Sequence, residues 1–167
     1  MQAVVDVAQV VTVPMPTVGL AIPLSNSVSV PHSHIRKIEG FENQMREMEQ
    51  LDIPVKEHFS KGVYAREITI PKGAIVSGEI HKYANLNILS KGELSIATEN
   101  GVIRVKAPFT VVSPPGTKRL AYAHEETVWT TIHGTDETDT KVIEDTFIAH
   151  SFDEYLSFCA ALQIEEK

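Results

Sequence analysis

Glu79 and His81 stand two residues apart on a predicted strand, so both side chains point to one face. A carboxylate and an imidazole in that relation are the candidate metal ligands of the chain. Asn85, a little further on, adds at most a weak carbonyl oxygen. Arg119 closes the segment Pro114-Pro115-Gly116-Thr117-Lys118-Arg119. Its guanidinium stays protonated and has no lone pair to give a metal, whereas its planar fork suits a carboxylate or phosphate. Unit charges about 4 Å apart at an effective dielectric near 20 interact by about 4 kcal/mol, and an Arg beside a divalent cation would be opposed by about twice that.

These residues sit in a frame that resembles the two motifs of the cupin β-barrel. The first motif is Gly, five residues, His-x-His, three or four residues, Glu, six residues, Gly. Here it runs Gly73, then Glu79-Ile80-His81, Asn85 and Gly92 with the same spacing. The second, Pro-x-Gly-x-x-His, is represented by Pro114 to Arg119. The resemblance implies that Glu79, His81, Asn85 and Arg119 occupy the four ligand positions of one metal inside the barrel. With Arg119 among them, the expectation is a metal site lost or rebuilt as a polar pocket. The bland alternative is a satisfied buried network of Glu79, His81 and Arg119 that only holds the barrel together.

The elements that must position these groups follow from pattern. The chain has 167 residues, 43% hydrophobic and 22% charged, ordinary values for one globular domain with extensions. A net charge of −7 without a basic cluster argues against nucleic acid. The single cysteine, Cys159, allows no intrachain disulfide and reads as an inert buried thiol. Prolines at Pro14 and Pro16 break the apolar stretch that could suggest a membrane span, and the start lacks the basic region of a secretory signal.

Residues 1–34 form a predicted extended apolar arm, with valines favouring a strand and Pro14, Pro16, Pro23 and Pro31 excluding a long helix. Such an arm is expected to add to a neighbouring subunit's sheet or lie in a partner's groove. Over 35–50, Ile35, Ile38, Phe41, Met45 and Met48 recur at helical spacing. Residues 54–149 carry short β-rich runs from Val63–Ile70 to Lys141–Glu144, with turns such as Asn100-Gly101 between them. Many short strands predict an all-β sandwich or barrel, and the cupin resemblance selects the double-stranded jelly roll. Trp129, Thr131 and His133 share one strand face and Arg119, Ala121 and Ala123 another; if Arg119 points inward, Ala121 and Ala123 leave space beside it that Trp129 or His133 is expected to line. The run Asp136, Glu137, Asp139 lacks calcium-loop spacing and reads as a solvated acidic loop. In 150–167, Ser151-x-x-Glu154 is a capping box opening a helix with Phe152, Tyr155, Leu156, Cys159 and Leu162 on its apolar side.

Stretches such as GVYAREITIPKG, HKYANLNILSKGEL and APFTVVSPPGTKR also resemble cupin-like proteins of tailed bacteriophages and prophages. That likeness implies a cytoplasmic location in a host cell or a place within a phage particle. The expected function is a non-enzymatic, homo-oligomeric cupin module, either an assembly component contacting other assembly proteins or a binder of a small polar or anionic ligand. The candidate pocket is Glu79, His81, Asn85, Arg119, Trp129 and His133, without a cofactor. The alternative is a metal-dependent dioxygenase or isomerase holding Fe, Mn, Ni or Zn on His81 and Glu79, helped by His124 or His133. A metal-free lyase or epimerase with His81 as general base is a third reading.

Overall fold

Alternation decides the local structure before tertiary packing does. In Val63–Ile70 every second residue, Tyr64, Arg66, Ile68 and Ile70, is buried, and its neighbours face outward. The computed structural model describes residues 7–12 and 32–165. In chain order the elements are β1 (Val7–Thr12), α1 (His32–Met45), β2 (Val55–Ser60), β3 (Val63–Ile70), β4 (Ala74–Gly78), β5 (Ile80–His81), β6 (Asn85–Lys91) and β7 (Glu93–Thr98). They continue with β8 (Gly101–Lys106), β9 (Phe109–Ser113), β10 (Leu120–Ala123), β11 (Thr127–His133), α2 (Thr140–Phe147), β12 (Ile148–Ala149) and α3 (Phe152–Glu165).

Two antiparallel five-stranded sheets face each other, ordered β1-β4-β10-β7-β8 and β2-β3-β11-β6-β9. From β3 onward the chain passes back and forth between them: β3 in the second sheet, β4 in the first, β6 in the second, β7 and β8 in the first, β9, β10 and β11 alternating again. That wrapping is the jelly roll, the double-stranded β-helix of the cupin type. Ile68, Ile70, Val76, Leu89, Leu94 and Ile96 fill the space between the sheets. No described helix is long and apolar enough to cross a membrane.

Gly92, in the first motif, has φ +86°, and a Cβ there would lie 2.5 Å from Glu126 O and Thr127 Oγ1, so both backbone and space require glycine. The two motif segments are joined through their main chains. Gly116 N–H donates to His81 O at 2.8 Å, and Gly78 N–H donates to Arg119 O at 2.9 Å.

Several predicted elements take another form. Lys141–Glu144, predicted as a strand, lies inside α2, because the Asp139 side chain caps Lys141 N and Val142 N and Lys141 pairs with Asp145 one turn on. The acidic loop is ordered by its own carboxylates: Asp136 accepts from Gly62 N at 2.6 Å, and Glu137 accepts from Thr138 N and Asp139 N. The helix predicted over 35–50 starts at His32 and ends at Met45, whose carbonyl accepts from Gln50 Nε2. Its buried face also includes Glu42, while Met48 is exposed. In α3 Phe152 is buried, Tyr155, Phe158 and Cys159 are half-buried, so the thiol expected to be buried is not, and Leu156 and Leu162 are exposed. The capping box is half reciprocal: Glu154 N donates to Ser151 Oγ, but the Glu154 carboxylate accepts from His150 N.

The described part of the apolar arm, β1, pairs with β4 of its own chain, Val11 opposite Ile75 and Val10 opposite Val76. Residues 32–34 of the predicted arm belong instead to α1, and the remainder of the arm lies outside the described residues. The strand predicted through Ile80 breaks at Glu79, and β5 forms a separate two-stranded sheet with β12, His81 opposite Ile148.

Candidate functional site

Three neighbouring strands of the second sheet build the polar floor of a cavity between the sheets. Thr131 on β11 sits opposite Arg66 on β3 and Asn87 on β6, so strand register alone brings the three together. The junction of β4 and β5 supplies Glu79 and His81, and the loop entering β10 supplies Thr117 and Arg119. Ile68, Ile70, Val76, Leu94 and Ile96, with Ala121 and Trp129, complete largely apolar walls. The empty volume, counted out through the mouth, is about 670 Å³.

Asn87 organises the floor. Its Nδ2 donates to Asn85 Oδ1 at 2.6 Å and Ser113 Oγ at 2.7 Å, and its Oδ1 accepts from Trp129 Nε1 at 3.2 Å and Thr131 Oγ1 at 2.9 Å. With both amide protons and both lone pairs engaged, Asn87 is saturated. Ser113 Oγ also accepts from Arg119 Nη1 at 2.5 Å, which fixes that guanidinium at the cavity wall.

The charged groups are arranged around this floor. Burial pushes the Arg119 pKa down to about 10, which leaves it a cation at neutral pH. Burial first, and the positive field of Arg119 second, lower His81 to about 4, so its imidazole is neutral. His81 Nδ1 lies 3.2 Å from His133 Nε2, and the His133 ring meets Phe147 in a tilted contact at 4.5 Å between centroids. At the rim, His150 Nδ1 approaches Glu79 Oε1 at 3.8 Å. Arg66 is only 6% exposed, and its Nε and Nη2 are buried without a hydrogen-bond partner.

Of the six residues expected to form the pocket, Glu79, His81, Arg119 and Trp129 line this cavity. Asn85 does not: it is buried behind the floor, holding Asn87. His133 lines a smaller neighbouring cavity with Tyr64, Arg66, Ile143, Glu144 and Phe147, and approaches the larger one through His81. His124, considered as a helper ligand, lies away from both, bonded to Ser95 Oγ at 2.7 Å.

A divalent metal does not fit the residues present. Among the described residues no group of three or more His, Cys, Asp or Glu is placed to hold one. Glu79 and His81 share their cavity with two guanidiniums, Arg66 and Arg119, which oppose a cation. Arg66 was missed from sequence, although a charge on the inward parity of Val63–Ile70 is the signal that marks it. Asn87 carries the same signal on β6, where the inward positions Asn85, Asn87 and Leu89 are two-thirds polar.

No family model matches the sequence, and no curated protein matches it. Solved structures share the fold. KdgF from a Halomonas species has a TM-score of 0.45 and 16% identity over 57% of this chain and 94% of its own. An RmlC-like cupin family protein with a double-stranded β-helix fold from Methanocaldococcus jannaschii has a TM-score of 0.44 and 15% identity over 56% of this chain and 86% of its own. A proposed acetylacetone dioxygenase from Methylibium petroleiphilum has a TM-score of 0.41 and 15% identity over 51% of this chain; the match spans 62% of that protein. The activities of these proteins do not carry over.

Proposed function

We propose that this chain is a metal-free binding module whose barrel cavity selects a small organic anion. The observation that carries the reading is the pair of guanidiniums, Arg66 buried and Arg119 half-buried, set in apolar walls with one carboxylate, Glu79, lining the same space. Two formal positive charges against one negative, with His81 neutral, leave a surplus that an anionic ligand would neutralise. Oligomerisation through the N-terminal arm belongs to the same proposal. The edge of β4 that receives β1 would receive the arm of a second copy with the same ladder. The likeness to phage cupin-like proteins makes an assembly context the setting of choice.

The test measures metal content by plasma mass spectrometry and thermal stability in the presence of organic anions and their neutral analogues. Anion-selective stabilisation without a bound metal supports the module, and Arg119→Gln should weaken that response. Stoichiometric Fe, Mn, Ni or Zn that disappears in His81→Ala would replace the reading with the metal-dependent enzyme. Light scattering on a chain lacking residues 1–30 tests the arm.

A further inference from the structure

The amide, indole and hydroxyl groups of the cavity floor are bonded to one another, whereas Nε and Nη2 of Arg66 are not. Trp129 and Thr131 donate to Asn87, both protons of Asn87 are used, and Arg119 Nη1 donates to Ser113. Even Glu57, the cross-strand neighbour of Arg66 on β2, accepts instead from Tyr64 Oη at 3.2 Å. The two orphaned donors, Nε and Nη2, lie on one edge of the guanidinium. That is the edge which receives both oxygens of a carboxylate in a parallel pair of hydrogen bonds. A buried cation with unanswered donors is expensive to keep, and Arg66 is held there by ladder pairing on both sides.

Resting on the anion-binding reading, we infer that the ligand is a monocarboxylate with an apolar body, its carboxylate seated side-on against Nε and Nη2 of Arg66. The body packs on Ile68, Ile70, Val76, Leu94 and Trp129, which line the same cavity. Three features select this class over phosphate. The lining carries a formal surplus of one positive charge, which a monoanion balances. The two buried nitrogens without a partner lie in one plane, the geometry that a planar carboxylate meets with both of its oxygens. The walls are chiefly aliphatic and aromatic, so the rest of the ligand gains by being apolar.

Titration calorimetry on the full chain with benzoate, hexanoate, benzamide and inorganic phosphate tests this, using wild type, Arg66→Gln and Arg66→Lys. Thermal unfolding confirms that each variant is folded. Benzoate and hexanoate should bind, and benzamide should not. Both Arg66 variants should weaken benzoate at least tenfold, the Lys variant because it keeps the charge but loses the fork. Benzamide binding as tightly as benzoate, or Arg66 variants retaining wild-type affinity, would overturn the assignment. Phosphate binding without benzoate binding would overturn the carboxylate class and leave the anion-binding module standing. If none of the anions binds, both proposals fall.

Discussion

Lys118 Nζ lies 2.8 Å from Glu42 Oε1, with 1% and 5% of the two side chains exposed, so an ion pair is sealed between α1 and the loop that carries Arg119. Lys118 Nζ also donates to Gly78 O at 3.1 Å, and Ser77 Oγ donates to Glu42. The pair thus ties the helix, the end of β4 and the second motif at one point. Removing one partner strands a buried charge, so Lys118→Met or Glu42→Leu alone should cost about 3–5 kcal/mol in urea unfolding. The double variant should recover most of that, because two apolar groups leave no charge unpaired. Equal losses in single and double variants would contradict the coupling.

Arg66 predicts the opposite sign. Its Nε and Nη2 are buried without partners, so Arg66→Met should stabilise the unliganded protein by about 1–3 kcal/mol while abolishing anion binding. For a domain of this size that is a rise in Tm of roughly 2–4 °C per kcal/mol. Calorimetry on wild type and variant reads it, and a fall in Tm would mean that the guanidinium is satisfied in solution.

His81 sets the pH dependence. Its folded pKa of about 4 lies below the ordinary 6.5, so between these values the unfolded chain binds the proton and the folded protein does not. Its contribution is therefore complete above pH 6.5 and is lost progressively down to about pH 4, at most roughly 3 kcal/mol. Urea midpoints measured from pH 7.5 to 4 should fall for wild type. His81→Gln should flatten the acid limb, and an unchanged limb would show that His81 titrates normally.

Gly116 tests how the second motif is seated. Its φ is +77°, and a Cβ would meet the Tyr155 ring at 2.6 Å. Gly116→Ala should destabilise by about 1–3 kcal/mol, and Tyr155→Ala in the same chain should relieve the steric part but not the backbone part. Losses that simply add would contradict the contact.

The barrel was legible because its strands are short, alternate in burial and are separated by turns that the chain spells out at Asn100-Gly101 and Lys91-Gly92. The motif spacing also located Glu79, His81 and Arg119, three of the cavity's polar groups. Asn85 was misplaced because register, which sequence does not state, puts Asn85 opposite Ser113 and leaves Asn87 to share the cavity floor with Thr131. Arg66 lies on the buried parity of Val63–Ile70, a charge among inward positions that β-propensity alone does not mark. The α2 helix was mistaken for a strand because Lys141–Glu144 is too short to show helical periodicity, and its deciding residue, the capping Asp139, precedes it.

The two-stranded β5–β12 pair separates the protein into a shell and a fastening. All the strands of the jelly roll are complete by His133, yet the backbone of His81 is gripped from one side by Ile148 and from the other by Gly116. The α2–β12 segment after the barrel therefore acts as a buckle on the short strand that carries His81 rather than as part of the frame. A single cut in the exposed segment around Asp136 to Asp139 would leave every barrel strand on one fragment and the buckle on the other. Every residue that lines the larger cavity precedes that cut, so the container and the piece that closes it are written on different stretches of the chain.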